Sequence, residues 1–223
     1  MRTLVISPHP DDETLGVGGT ILSRIKKKKK VAWLIVTSLE KNDQNENLIK
    51  KKKQEIEKVR KNYKFYKTFQ LNFHATKLDQ IPLNKIIDSI SKVIKSFKPN
   101  EVFLPHISDA HTDHQKIFLA VSACTKTFRY PYINKLLCYE TISETGYGIN
   151  SKKKNNNFNP NYYVNIENFI KKKIQIAKFY KTEIKKHPFP RSIKNMKSLA
   201  ILRGAESNNK YAEAFELLKF IEN

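Results

Sequence analysis

The sequence predicts an α/β fold, a Rossmann-like three-layer sandwich with a mostly parallel sheet and an active site at the C-terminal ends of its strands. Three observations predict it. Short apolar runs alternate with amphipathic stretches as far as residue 128. The runs are apolar on both faces, as strands buried between two helix layers must be. Clusters rich in His and Asp follow two of the runs, at 9–13 and 106–114, and open parallel sheets bind ligands outside the carboxyl ends of their strands.

Element by element, TLVIS at 3–7 is a strand and GGTILSRIKKKKK at 18–30 an amphipathic helix. VAWLIVTS at 31–38 is the second strand, followed by the helix ENLIKKKKQEIEKVRKNY at 46–63. KTFQLNF at 67–73 is the third, followed by the helix LNKIIDSISKVIKSF at 83–97, which Pro99 ends. EVFLPH at 101–106 leads into the helix HQKIFLAVSACTKTF at 114–128. Such β-α units imply right-handed crossovers with helices on both faces of the sheet. Beyond them lie a strand KLLCYET at 135–141, a Lys- and Asn-rich loop at 150–161 expected to be mobile, and a strand YYVNI at 162–166. Two helices close the pattern, ENFIKKKIQIAKFYKTEI at 167–184 and SIKNMKSLAILRG at 192–204.

At 223 residues the chain suits one domain, 1–223, with a full core and no internal repeat. Its longest apolar run, VAWLIV, is too short to span a bilayer, and the first residues lack the order of a signal peptide, so a cytoplasmic location is the expectation. Cys124 and Cys138 sit in apolar surroundings without metal-type spacing and are expected to be buried free thiols. The net charge of +21 raises the question of a nucleic-acid or anionic-surface partner. Against that reading, the lysines fall in runs at helix ends and exposed faces, with little arginine, so no specific nucleic acid is expected. An anionic substrate would still benefit from the field.

The chemistry lies in the two clusters. His9, Asp11 and Asp12 follow the first strand, and HISDAHTDH follows EVFLP, so the topology brings both to one sheet edge. Imidazole and carboxylate together suit a divalent metal of the zinc type, which takes about three protein ligands at a catalytic site. The candidates are His9 and Asp12 with His111 or His114; Asp11 and Asp113 are candidates for a general base and for an orienter of a ligand. The implied chemistry is metal-assisted hydrolysis of an amide or ester. The bland alternative is a Pro10-shaped turn with Asp12 capping a helix. GVGG lacks the spacing of a dinucleotide fingerprint, and Gly16, Gly18 and Gly19 are expected to permit close backbone approach. His74 and His187 lie outside both clusters and read as surface residues, and His106 as a structural one.

Taken together and in order, PHPDDETLGVGG, LPHISDAHTDH and LRGAESNNKYAEAF resemble the LmbE-like, or PIG-L, family of zinc-dependent N-acetylglucosaminyl de-N-acetylases. The likeness extends over nearly the whole chain, through LIVTS, TKLD, YET and AKFYKTEI. The resemblance implies one catalytic Zn2+, or another divalent metal, held by His9, Asp12 and His114, with Asp11 as general base. It implies that His111, supported by Asp113, stabilises the oxyanion or protonates the departing amine. Asp109 matches an acidic position in the second layer of the site, and Arg203 an ion-pairing or substrate-facing one. Asn208 stands where the family usually has Gly, a position that Asn can fill at positive φ. The loops at 39–46 and 146–161 match nothing in the family.

The expected reaction is therefore hydrolysis of the acetamido group of an N-acetylated amino sugar or sugar conjugate to acetate and a free amine, in carbohydrate metabolism. Two alternatives remain at this level: another metal-dependent amide or ester hydrolase on the same scaffold, and a basic nucleic-acid or anionic-surface binding module with structural histidines.

Overall fold

In the computed structural model, residues 1–39, 46–148 and 157–222 are described. A seven-stranded sheet is formed by β1 (Arg2–Ser7), β2 (Lys30–Ser38), β3 (Lys67–His74), β4 (Glu101–Pro105), β5 (Lys135–Tyr139), β6 (Tyr162–Asn165) and β7 (Ala212–Phe220), in the order β3-β2-β1-β4-β5-β7-β6. The five strands from β3 to β5 run parallel, and β7 is antiparallel to both of its neighbours. The helices are α1 (Asp12–Lys26), α2 (Glu46–Tyr63), α3 (Leu83–Phe97), α4 (Thr112–Ala123), α5 (Ile170–Ala177) and α6 (Ile193–Ala205).

The strands that are apolar on both faces lie at the centre, as their composition demands. Leu4, Ile6, Ala32, Leu34 and Val102 pack beneath α3 and α4, against Ile86, Ile90 and Ile117. Val5, Trp33, Ile35 and Phe103 face the other way, toward Val17 and Ile21 of α1, Tyr63 of α2 and Ile176 of α5. The three layers are thus two cores on one sheet. Both cysteines are free and buried. Among the described residues, no helix is long and apolar enough to cross a membrane.

α4 stops at Ala123 rather than running to 128, and three elements differ more from the sequence reading. First, α1 starts at Asp12 and takes in the glycines, since tertiary contacts override their low helix propensity. A Cβ on Gly16 would run into the Tyr139 ring, and one on Gly19 would sit 2.6 Å from Ile166. Second, α5 ends at Ala177 rather than continuing to 184. The chain after it is drawn inward, burying Tyr180, whose hydroxyl donates to Glu13, while Glu55 of α2 accepts from the backbone and hydroxyl of Thr182. Third, β7 has no counterpart in the sequence reading. Its AEAF segment is buried and supplies Glu213, whose carboxylate accepts from the N–H groups of Gly19 and Thr20 and pairs with the buried Lys173. Of the 150–161 loop, residues 150–156 lie outside the described residues. Asn208 adopts φ 53°, as expected of an Asn in a Gly position.

Candidate active site

The loop after β1 turns abruptly. Asp11 sits at φ 138°, ψ −28°, a conformation that costs about 1–3 kcal/mol and persists only where the surroundings fix it. Several bonds do so. Its N–H donates to Glu13, its carbonyl accepts from Thr14 and Leu15, and one residue on, the Asp12 carboxylate accepts the His9 N–H at 2.8 Å. After β4, the loop at 106–111 delivers His111 as the N-cap of α4 and His114 on its first turn.

The two loops meet. The Asp12 Oδ2 lies 3.7 Å from His9 Nδ1 and 3.4 Å from His114 Nε2. The donor atoms of His9, Asp12 and His114 all lie within 4.8 Å of one another. Donors on a tetrahedral zinc at about 2.0–2.1 Å are separated by about 3.3–3.4 Å, so the spacing suits such an ion. Both imidazoles are also oriented from behind. His114 Nδ1 is 2.7 Å from Asp109 Oδ2, and His9 Nε2 is 2.9 Å from Asp113 Oδ2. With the far nitrogen protonated in each case, His114 Nε2 and His9 Nδ1 are free to ligate. His9, His111 and Asp113 form a second group of metal-type donors.

Asp113 supports a different residue from the one expected. Its carboxylate serves His9 and the N–H groups of Thr76 and Leu78, while its backbone N–H donates to His111 Nδ1 at 3.1 Å. Burial, and then the charges of His9 and His114, lower the His111 pKa to about 4. His111 is therefore a neutral imidazole near pH 7 with its proton on Nε2, a hydrogen-bond donor rather than a cation.

The carboxylates divide in the same way. Burial pushes Asp11 well above the usual range, the Asp12 and Glu183 charges add to the effect, and Arg191 opposes it. Burial alone would also raise Asp12, but His114 and His9 hold it at about 2. His114 goes the other way: burial disfavours its cation, yet Asp12 and Asp109 raise it well above the usual value. Positive charge is thus favoured between these carboxylates, at the point where a divalent cation would sit.

A cleft of about 970 Å³ opens over this cluster, lined by His9, Asp11, Asp12, His111 and His114 together with residues of α2, β3 and the segment before α6. Sequence reasoning missed several groups that line the cleft or lie behind it. Arg191 reaches in, its Nε 3.9 Å from Asp11 Oδ2 and its Nη2 3.0 Å from Glu183, which also pairs with Lys52. Glu13, fully buried, receives the hydroxyls of Thr14 and Tyr180, and burial raises it to about 7. Glu13 was visible in the PDDE motif; Arg191, in a segment without regular pattern, carried no signal.

Arg203 lies apart from that lining. Its guanidinium grips Glu140 through Nε and Nη2, both at 2.8 Å, and bonds Glu206 as well. The ion-pairing alternative is the one the structure displays. His106 is buried, bonded to the Ser108 hydroxyl, with Nε2 3.1 Å from Glu216. His187 is exposed and His74 partly buried.

The comparisons with known proteins point to one family. A family model described as GlcNAc-PI de-N-acetylase (PIG-L) matches residues 4–125, a span that holds both loops. The deacetylase YaiS of Escherichia coli K12, itself uncharacterized, is 28% identical over 145 residues, 63% of this chain and 74% of that protein. The diacetylchitobiose deacetylase of Thermococcus kodakarensis is 23% identical over 97% of this chain and 83% of its own. The N,N'-diacetylchitobiose deacetylase of Pyrococcus horikoshii superposes with a TM-score of 0.74 at 18% identity, over 98% of this chain and 84% of that one. Matched over more than half its length, with the motif residues converging on one cleft, the chain belongs to the PIG-L family of GlcNAc-type de-N-acetylases.

Proposed function

We propose that this single-domain chain is a zinc-dependent de-N-acetylase that hydrolyses the acetamido group of an N-acetylated amino sugar or sugar conjugate. The observation that carries the reading is the set of three donors, His9 Nδ1, Asp12 Oδ2 and His114 Nε2, gathered within 4.8 Å of one another beside the strained Asp11. A divalent cation held there supplies Lewis acidity toward the amide carbonyl and acidifies a water.

The protein's own groups supply the rest. Asp11, with its raised proton affinity, takes a proton from the attacking water as oxygen adds to the carbonyl carbon. The Nε2–H of His111 donates to the oxyanion, in which role a single donor contributes about 3–4 kcal/mol. The C–N bond then breaks, the proton held on Asp11 passes to the leaving nitrogen, and acetate and a primary amine depart. Asp113 and Asp109 hold His9 and His114 in the ligating tautomer. A cytoplasmic site of action belongs to this reading as the expectation of the sequence.

The test is acetate release by the purified protein from a panel of N-acetylated sugars, free, nucleotide-linked and oligomeric, with zinc and with chelator. Acetate and primary amine in equal amounts, lost on chelation, are the expected result. A different carboxylic acid product would move the chain to the alternative hydrolase. Bound zinc without turnover on any sugar would remove the sugar from the account.

A further inference from the structure

The two helix layers of the sandwich differ in charge. α1, α2 and α5 share one layer: Lys172 of α5 donates to Asn62 of α2 at 2.9 Å, and Lys26 at the end of α1 lies over the Phe169 ring just before α5. Among the described residues of this layer, at 26–30, 46–64 and 167–181, thirteen lysines are exposed against two exposed acids, Glu46 and Glu167. The opposite layer, α3 and α4 with the residues that end them at 83–98 and 112–126, exposes five lysines and one acid, Asp88. A bias toward lysine in composition alone would enrich both layers alike. The positive charge of the chain is instead gathered on one side.

The other acids of this layer are committed elsewhere. Glu55 is buried and accepts from Thr182, Glu183 pairs with Lys52 and Arg191, and Glu57 pairs with Arg60 and Lys61. Lys50 and Lys53, and again Lys58 and Lys61, stand three residues apart on α2. Residues so spaced are neighbours on a helix surface, and like charges there weaken the helix. Folding does not favour such a face, whereas an anionic partner does.

Two observations favour a lipid surface over a nucleic acid. The first is the type of cation. Lysine is a compact, strongly hydrated charge that suits a diffuse surface field, while phosphate recognition favours the planar fork of arginine. Among the exposed residues of this layer Arg60 is the one arginine, and Glu57 already occupies it at 2.7 Å. The second lies at the foot of α2, where Tyr66 is 59% exposed and the Lys30 ammonium stands 4.7 Å from its ring centroid. Tyrosine rings are enriched at the headgroup level of membranes, where anionic lipids attract lysine.

We propose that the outer face of α1, α2 and α5 docks the protein peripherally on an anionic lipid bilayer through the field of its lysines. The contact is reversible and sensitive to salt, because it rests on surface charge. It is independent of the de-N-acetylase reading, since docking needs neither metal nor turnover.

The test is co-sedimentation of the full chain with vesicles of phosphatidylcholine alone and with about 30% phosphatidylglycerol, at about 0.1 M and about 0.5 M salt. Wild type is expected to bind the anionic vesicles only, and to leave them at the higher salt. Lys27→Gln, Lys50→Gln, Lys58→Gln and Lys171→Gln combined should weaken that binding by at least about a hundredfold, since each lysine near such a surface contributes about fivefold. A charge-matched control on the opposite layer, Lys85→Gln, Lys92→Gln, Lys95→Gln and Lys126→Gln, should stay within about threefold, because those groups lie beyond the reach of the screened field. All eight positions are exposed, and thermal melts of both variants check that they fold. Equal binding to neutral and anionic vesicles, binding to neither, or equal weakening by the two variants would each overturn the docking face. Tighter binding to duplex DNA than to the anionic vesicles, at equal phosphate concentration and salt, would overturn the lipid and make the partner a nucleic acid.

Discussion

Asp109 Oδ2 lies 2.7 Å from Nδ1 of His114, and both side chains are almost wholly buried. The other Asp109 oxygen accepts the Thr145 hydroxyl, also at 2.7 Å. The carboxylate therefore cannot turn away, and His114 is held with its Nε2 toward Asp12.

Asp109→Asn keeps the shape of this contact and removes its charge. An amide oxygen can still accept from Nδ1–H, and the Thr145 hydroxyl can turn to meet the amide nitrogen. The expected outcome is a folded protein whose zinc affinity falls about 10- to 100-fold, read by competition with a chromogenic chelator. Unchanged affinity would mean that Asp109 only shapes the loop.

Asp11 and the ligands should separate cleanly. Asp11→Asn leaves the three donors in place, so zinc stoichiometry should hold while kcat falls by about 10²–10⁴-fold. His9→Ala and His114→Ala should lose the metal itself, measured by elemental analysis after dialysis. An Asp11→Asn protein with near wild-type turnover would leave the strained loop without its assigned base.

Much of this was legible in the sequence, for a physical reason. Apolar strands and the His/Asp clusters that follow them are local signals, and parallel topology alone brings the ends of β1 and β4 together. What stayed hidden depends on distant partners. The pairing of Asp113 with His9 joins residues 104 apart, and no spacing rule expresses it. Arg191 enters the cleft from an irregular segment. The helix α1 includes glycines that propensity would exclude, because Tyr139 and Ile166 need the space. The strand β7 follows a helix with a motif read for its chemistry, not its period.

Arg191 should prove sensitive to shape as well as charge. Its fork spans Glu183 at 3.0 Å and the Ser143 hydroxyl at 3.4 Å while its Nε faces Asp11. Lysine cannot reproduce a planar fork. Arg191→Lys is expected to lower kcat/KM by about tenfold with little change in melting temperature, and Arg191→Ala by more. Equal activity of all three proteins would place Arg191 outside the working site.

Metal removal should be visible in stability as well as activity. A ligand bound only by the native state stabilises by about 2.7 kcal/mol at a hundredfold excess over its Kd. For a chain of this size, each kcal/mol shifts Tm by about 2–4 °C. Chelation should therefore lower Tm by about 5–10 °C and zinc should restore it; a scan indifferent to chelator would argue that no ion is bound at the cluster.

A pH dependence independent of the metal follows from the opposite end of the sheet. Glu101, at the start of β4, is fully buried and bonded by Arg24 through Nε at 3.0 Å and Nη2 at 2.9 Å, with the Thr3 hydroxyl at 2.8 Å. Burial alone would raise the Glu101 pKa, but the Arg24 hydrogen bonds and charge, with Thr3, bring it below the usual glutamate value. The unfolded chain then holds more protons on this group than the native state does in the window below about pH 4.5, so native stability falls as pH drops through it. Above that window the contribution is complete and flat. Glu101→Gln should lower stability at neutral pH by about 3–5 kcal/mol, because it leaves Arg24 buried without a counter-charge. It should also flatten the stability curve below pH 4.5, and chemical denaturation from pH 3 to 7 reads both effects. If the variant loses stability at neutrality but keeps the full acid slope, the slope belongs to other carboxylates and the buried pair contributes only its packing.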